Sequence, residues 1–167
     1  MRKLTEQTYL EAYDKYADAI YRHCFFRVFS KEKAEELAQD TFMKTWEYLA
    51  DGKEVENLRA FLYRVANNLI IDYSRKKKEE RLDSLLETSP DMEPAYDGRD
   101  NLESDELARE VLSKFKDLRE SDRDILTMRF VDELDLREIA EALEITPNNV
   151  SVRLNRAVKA LREQLDD

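Results

Sequence analysis

Two glycines, three prolines, one cysteine and one histidine are all that this chain of 167 residues holds of those types. Each scarcity excludes something. A lone Cys24 rules out an intramolecular disulfide and any thiolate cluster for zinc. His23 stands next to it, but consecutive helix residues point about 100° apart and do not converge on one reacting atom. No catalytic group, metal site or cofactor is indicated, and the chain does not read as an enzyme. Pro90, Pro94 and Gly98 crowd into one segment, so long stretches on either side contain almost nothing that interrupts a helix. Strand-type alternation does not persist, no internal repeat is present, and no apolar run reaches membrane-spanning length. The opening MRKLTEQTYLEAY is too polar for a signal peptide. The expectation is an all-α, cytoplasmic protein with no direct membrane insertion.

Charge is plentiful but uneven. The net charge of −10 argues against a bulk nucleic-acid binder. By segment, residues 1–81 sum to +1, residues 82–103 to −6 and residues 104–167 to −5. Within the last segment, residues 146–165 carry Arg153, Arg156, Lys159 and Arg162 against Glu163 alone. The middle segment, LDSLLETSPDMEPAYDGRDNLE, has the acidity, prolines and lost periodicity of a linker. Two small helical domains therefore flank it. Residues 1–81 read as three helices, about 5–28, about 31–50 after an N-cap Ser30, and about 57–81 after an N-cap Asn57, with Gly52 separating the last two. Residues 104–167 read as four: about 105–117, about 122–131 after Ser121, and a final pair.

That final pair, DLREIAEALEITPNNVSVRLNRAVKALR, carries the most functional information. Asp135 with Glu138 three residues on forms a capping box, and Thr146 followed by Pro147 opens the second helix. Ile139, Ala140, Leu143, Ile145, Val150 and Leu154 fall where two short helices must cross closely, the pattern of a helix-turn-helix. Glu144 occupies the turn position that favours glycine, at a strain of about 1 kcal/mol. Winding the second helix puts Val150, Leu154, Ala157 and Leu161 on the packed side. Asn148, Val152, Asn155, Arg156 and Lys159 then face outward, with Asn149, Ser151 and Arg153 on the flanks. Such groups bond base edges and phosphates.

Two other helix faces stand out. On the helix from Asn57, Leu58, Leu62, Val65, Ala66, Leu69 and Tyr73 form the expected buried stripe. Arg64, Asn67, Asn68, Ile71, Arg75 and Lys78 form the outward face, with Lys76 and Lys77 adding to a basic run and no acid before Glu79. Amide donors and cations on one face suit nucleic acid. On the helix from Ser30, Leu37, Thr41, Phe42, Thr45, Tyr48 and Leu49 turn inward, leaving Glu36, Gln39, Asp40, Met43 and Glu47 outside. An acidic face around a methionine suits a basic partner helix, but from periodicity alone ordinary solvation is the better explanation.

The segments YDKYADAIYRHCFFR, KEKAEELAQDTFMKTWEYL and LRAFLYRVANNLIIDYSRKKK, followed by LRESDRDILTMRFVDELDLREIAEALEITPNNVSVRLNRAVKALREQL, resemble the two domains of sigma-70-type factors of the extracytoplasmic-function group in order and spacing. The resemblance covers nearly the whole chain. It implies a promoter-recognition subunit of bacterial RNA polymerase, with a domain 2-like unit over residues 1–81, the acidic linker over 82–103 and a domain 4-like unit over 104–167. It further implies that Glu36, Gln39, Asp40, Met43 and Glu47 dock on the clamp helices of core polymerase. Arg64, Asn67 and Asn68, with the loop 50–57 and with Ile71, Arg75 and Lys78 beyond, would take the melted minus-ten strand and hold an unstacked base. The helix from Pro147 would read the minus-thirty-five element, and the linker would follow the RNA exit path as a charge mimic of nucleic acid. An anti-sigma factor is an implied partner. Ser151 and Val158 stand where the family commonly has a basic residue, and Glu144 stands for the turn glycine. Two alternatives rest on the residues alone: a helix-turn-helix regulator that does not recruit polymerase, and a sigma-like protein-interaction module.

Overall fold

A computed structural model of the protein describes residues 2–84 and 106–166. Seven α-helices account for nearly all of the described residues. The first three are α1 (Arg2–Val28), α2 (Lys31–Ala50) and α3 (Leu58–Ser84); the others are α4 (Glu106–Lys116), α5 (Glu120–Leu126), α6 (Leu136–Leu143) and α7 (Pro147–Asp166). A π-helical turn, Thr127–Val131, continues α5. Helix α3 overruns the start of the expected linker by three residues, and the remainder of that linker lies outside the described residues.

Local chemistry sets the helix starts. Ser30 Oγ accepts from Lys33 N at 3.2 Å, and Asn57 Oδ1 accepts from Ala60 N at 3.0 Å. Asp135 and Glu138 close both bonds of the capping box, and Thr146 Oγ1 accepts from Asn149 N at 3.1 Å. Each such cap is worth about 1 kcal/mol. One expected start is wrong: α5 begins after Arg119, not Ser121, and gives way at Thr127 to a wider turn. The extra residue of that turn rotates the chain beyond it, so that Asp132 points back at the first domain instead of along the helix.

The core is continuous across both domains. In the first, Ile20 and Cys24 of α1, Leu37 and Phe42 of α2, and Leu62, Tyr63, Ala66 and Ile70 of α3 are buried. In the second, Ile125, Met128, Leu134, Ile139, Val150 and Ala157 are. The two sets belong to one cluster because α6 lies on α3 and the π turn lies on α1. This docking widens the buried face of α3. Leu58, Val65, Leu69 and Tyr73 of the expected stripe are only half-buried, whereas Ala60, Tyr63, Asn67 and Ile70 are shielded. A stripe drawn for one packing partner cannot anticipate a second.

Candidate nucleic-acid and partner interfaces

The helix-turn-helix is built as its sequence requires. Glu144 takes φ 58° and ψ 43°, the left-handed conformation that usually calls for glycine. Val150 and Ala157 of α7 are buried and Leu154 and Leu161 half-buried, so one side of the helix is held against its neighbours. On the opposite side Asn148, Val152, Arg153, Asn155, Arg156 and Lys159 are exposed, with Asn149 and Ser151 half-buried at the edge. Lys114 of α4 donates to Gln164 O at 2.5 Å and ties down the far end of α7. A rigid helix with a clean amide and cation face is what groove reading needs.

Helix α2 likewise presents Glu36, Gln39, Met43 and Glu47 exposed and Asp40 half-buried. Its inner side is fixed by Ala34, Leu37, Ala38, Thr41, Phe42 and Thr45. What periodicity did not reveal is a groove beside this face. Tyr9, Leu10 and Tyr13 of α1 and Phe42, Met43 and Trp46 of α2 line an open cavity of about 690 Å³, with Glu6 and Gln39 at its rim. Tyr9 meets Trp46 at a centroid distance of 5.1 Å, and Tyr13 meets Phe42 at 4.9 Å. Met43 is 58% exposed and Leu10 60%, so the acidic face and an apolar trough form one surface. Only the pairing of α1 with α2 brings the tyrosines to it.

The outward face expected on α3 needs a correction. Asn68, Ile71, Arg75 and Lys78 are exposed, but Asn67 is buried and accepts from Arg27 Nη1 at 2.9 Å. The reason is Arg27, a buried guanidinium on α1 that requires acceptors. Arg64 is exposed yet already engaged: its Nη2 lies 2.5 Å from Glu144 Oε1 in the turn of the helix-turn-helix. The strained glutamate thus makes a surface ion pair across the two domains.

That pair belongs to a set with sorted signs. His23 Nδ1 donates to Asp132 Oδ2 at 2.6 Å with both side chains buried. Arg27 pairs with Asp124. Arg59 donates to Asp132 O at 2.8 Å and lies 3.5 Å from Glu138 Oε1. Lys78 Nζ is 3.8 Å from Glu120 Oε2. In every one of these pairs the basic partner comes from α1 or α3 and the acid from the second domain. Burial lowers the pKa of Arg27 against the pull of Asp124, and the same burial pushes the Asp124 carboxyl up to about 6 although Arg27 opposes it. The unequal segment charges were a visible trace of this docking, without its geometry. Cys24 is buried in the core and its pKa is pushed up to about 12, chiefly by desolvation, which disfavours the thiolate. Among the described residues no group of three or more His, Cys, Asp or Glu could hold a metal, and no helix is long and apolar enough to cross a membrane.

Comparison with known proteins agrees with both halves. Residues 12–80 match the sigma-70 region 2 family, and residues 108–161 match sigma-70 region 4. The chain is 30% identical to the extracytoplasmic-function RNA polymerase sigma factor SigW of Bacillus subtilis, over all of this chain and 94% of that protein. It is also 30% identical to the RNA polymerase sigma factor YlaC of the same organism, over 93% of this chain and 90% of that one. The sigma factor RpoE of Bartonella quintana, solved in complex with the anti-sigma factor NepR, has the same fold, with a TM-score of 0.75, 22% identity, and coverage of 96% and 98% of the two chains. With both family regions in order and full-length kinship to SigW, the chain belongs to the extracytoplasmic-function group of the sigma-70 family, a sigma factor that binds core RNA polymerase and initiates transcription at promoters.

Proposed function

We propose that three surfaces divide the work. Glu36, Gln39, Asp40, Met43 and Glu47, together with the aromatic trough beside them, dock on core polymerase. Asn148, Asn149, Ser151, Val152, Arg153, Asn155, Arg156 and Lys159 of α7 read the minus-thirty-five element. Asn68, Ile71, Arg75 and Lys78 of α3 take the minus-ten strand, joined by Arg64 once it leaves Glu144. Asn67 holds Arg27 instead of DNA. The functional units are residues 1–81 and 104–167, joined by the acidic segment 82–103. The observation that carries the reading is the α7 face, exposed along its length on a helix whose other side is packed. The protein works in the cytoplasm, where core polymerase is. An anti-sigma factor is its regulatory partner, a reading supported by the similar fold of RpoE, solved with NepR bound.

Co-purification with core polymerase followed by promoter-specific run-off transcription tests the whole reading. A regulator that does not recruit polymerase would bind DNA without core, and a pure interaction module would do neither. On the minus-thirty-five side, Arg153→Ala and Arg156→Ala should each weaken promoter binding by about 1–3 kcal/mol if they read bases. A phosphate contact would instead act evenly on all sequences. Unchanged titrations for both variants at moderate salt would remove α7 from the interface. On the minus-ten side, Asn68→Ala should slow open-complex formation, scored by permanganate reactivity of unpaired thymines, and leave the closed complex unchanged. A pre-melted template should restore transcription. Wild-type opening by this variant would hand base capture to the loop 50–57.

A further inference from the structure

A second, smaller cavity of about 140 Å³ lies away from the α7 face, between the end of α1, the C-terminal part of α3 and the α4–α5 region. Its lining includes Arg27, Lys77, Lys78, Arg81, Lys116 and Arg123, with Glu120 as the carboxylate among them. Gathering cations this densely in a chain of net charge −10 runs against the average field of the molecule. Two of its guanidinium groups, those of Arg27 and Arg123, each keep one nitrogen without a hydrogen bond among the described residues. Arg27 is 6% exposed, and although it meets Asp124 and Asn67, its Nη2 has no hydrogen-bond partner among the described residues. Arg123 Nε is buried in the same condition, and Arg123 Nη1 reaches only Lys116 O at 3.4 Å. Glu120 sits 3.8 Å from Lys78.

Phe29 gives this wall its shape. It ends α1 with φ 55°, a left-handed conformation that a bulky side chain rarely adopts. Its ring lies 5.8 Å from Lys116 Nζ and 5.9 Å from Arg123 Cζ, so two cations of the second domain rest on an aromatic face of the first. Cations held over a ring keep their N–H groups available to an anion. A guanidinium's planar fork of donors matches the oxygens of a phosphoryl group better than a single-point acceptor. The volume corresponds to about five times a water's share of the liquid, the size of one or two phosphoryl groups.

We propose that this cavity binds a small phosphoryl anion of the diphosphate type, using residues of both domains, and is complete only while the domains are docked. Whatever binds there favours the docked arrangement over the separated one, since only the former has the site. Inorganic pyrophosphate and the diphosphate end of a nucleotide share this chemistry.

The test is calorimetric titration of the full chain, without polymerase or DNA, at a constant ionic strength of about 0.15 M. Inorganic pyrophosphate should bind saturably at one site. Lys116→Gln, an exposed position whose change leaves the fold intact by circular dichroism, should weaken it about tenfold. Arg123→Gln should do the same or more, and Lys44→Gln on exposed α2 should change nothing. ADP equal to pyrophosphate identifies the phosphoryl group alone as the ligand; tighter ADP adds contacts of the nucleoside to the rim. The proposal is overturned by absence of saturation at millimolar pyrophosphate, by sulfate binding as well as pyrophosphate, or by equal losses in Lys44→Gln. Because the measurement needs no promoter, its failure would leave the assignment of the DNA and polymerase surfaces untouched.

Discussion

Glu36→Lys combined with Asp40→Lys is expected to abolish association with core polymerase. Both carboxylates flank the methionine that opens onto the aromatic trough, and Glu36 makes only an exposed contact with Lys33 at 3.2 Å, so its loss costs the fold almost nothing. Placing two cations against a basic partner costs several kcal/mol at an interface, which corresponds to an affinity loss well beyond about a hundredfold. Trp46, the single tryptophan of the chain, lines the trough and supplies the measurement. Its emission should shift when core polymerase is added to the wild type and stay constant with the double variant, while helical circular dichroism is the same for both. Wild-type affinity in the double variant would move the docking face elsewhere.

Asp132→Ala should separate the domains. His23 and Asp132 are both shielded from water, and removing the carboxylate leaves the imidazole Nδ1 without its acceptor; a buried polar group left without its partner costs about 1–3 kcal/mol. The Arg59 contact to the Asp132 carbonyl survives the change, but it is half-exposed and weaker. A cost of about 1–3 kcal/mol moves the ratio of docked to separated molecules by about 5–150-fold. Small-angle scattering should report a larger radius of gyration with unchanged helix content, and Arg64 should be released from Glu144. An unaltered radius would mean that the apolar contact of α6 with α3 holds the domains without the His23–Asp132 hydrogen bond.

The docked arrangement also changes the meaning of two residues. Glu144 read from sequence is a strained stand-in for the turn glycine; in three dimensions it keeps the left-handed backbone and its carboxylate meets Arg64 of the first domain. Asn67 read from sequence is a donor on a DNA face; in three dimensions it satisfies a buried arginine. Both reversals have the same origin. Helical periodicity assigns a side chain to a direction, and what waits in that direction depends on elements tens of residues away.

Features governed by neighbours within a few residues were legible in the sequence. Caps at Ser30, Asn57, Asp135 and Thr146, the turn at Glu144 and the inner and outer sides of α2 and α7 all arise from hydrogen bonds and apolar spacing that span at most a turn or two of helix. The ordered motifs added the family. Tertiary structure alone decided which side of α3 is covered, that Tyr9 and Tyr13 join Phe42 and Trp46 in one trough, and that basic residues of α1 and α3 meet acids of the second domain one by one. Those outcomes depend on the complementarity of two surfaces distant in sequence, and net charges of +1 and −5 specify an attraction between them but no geometry.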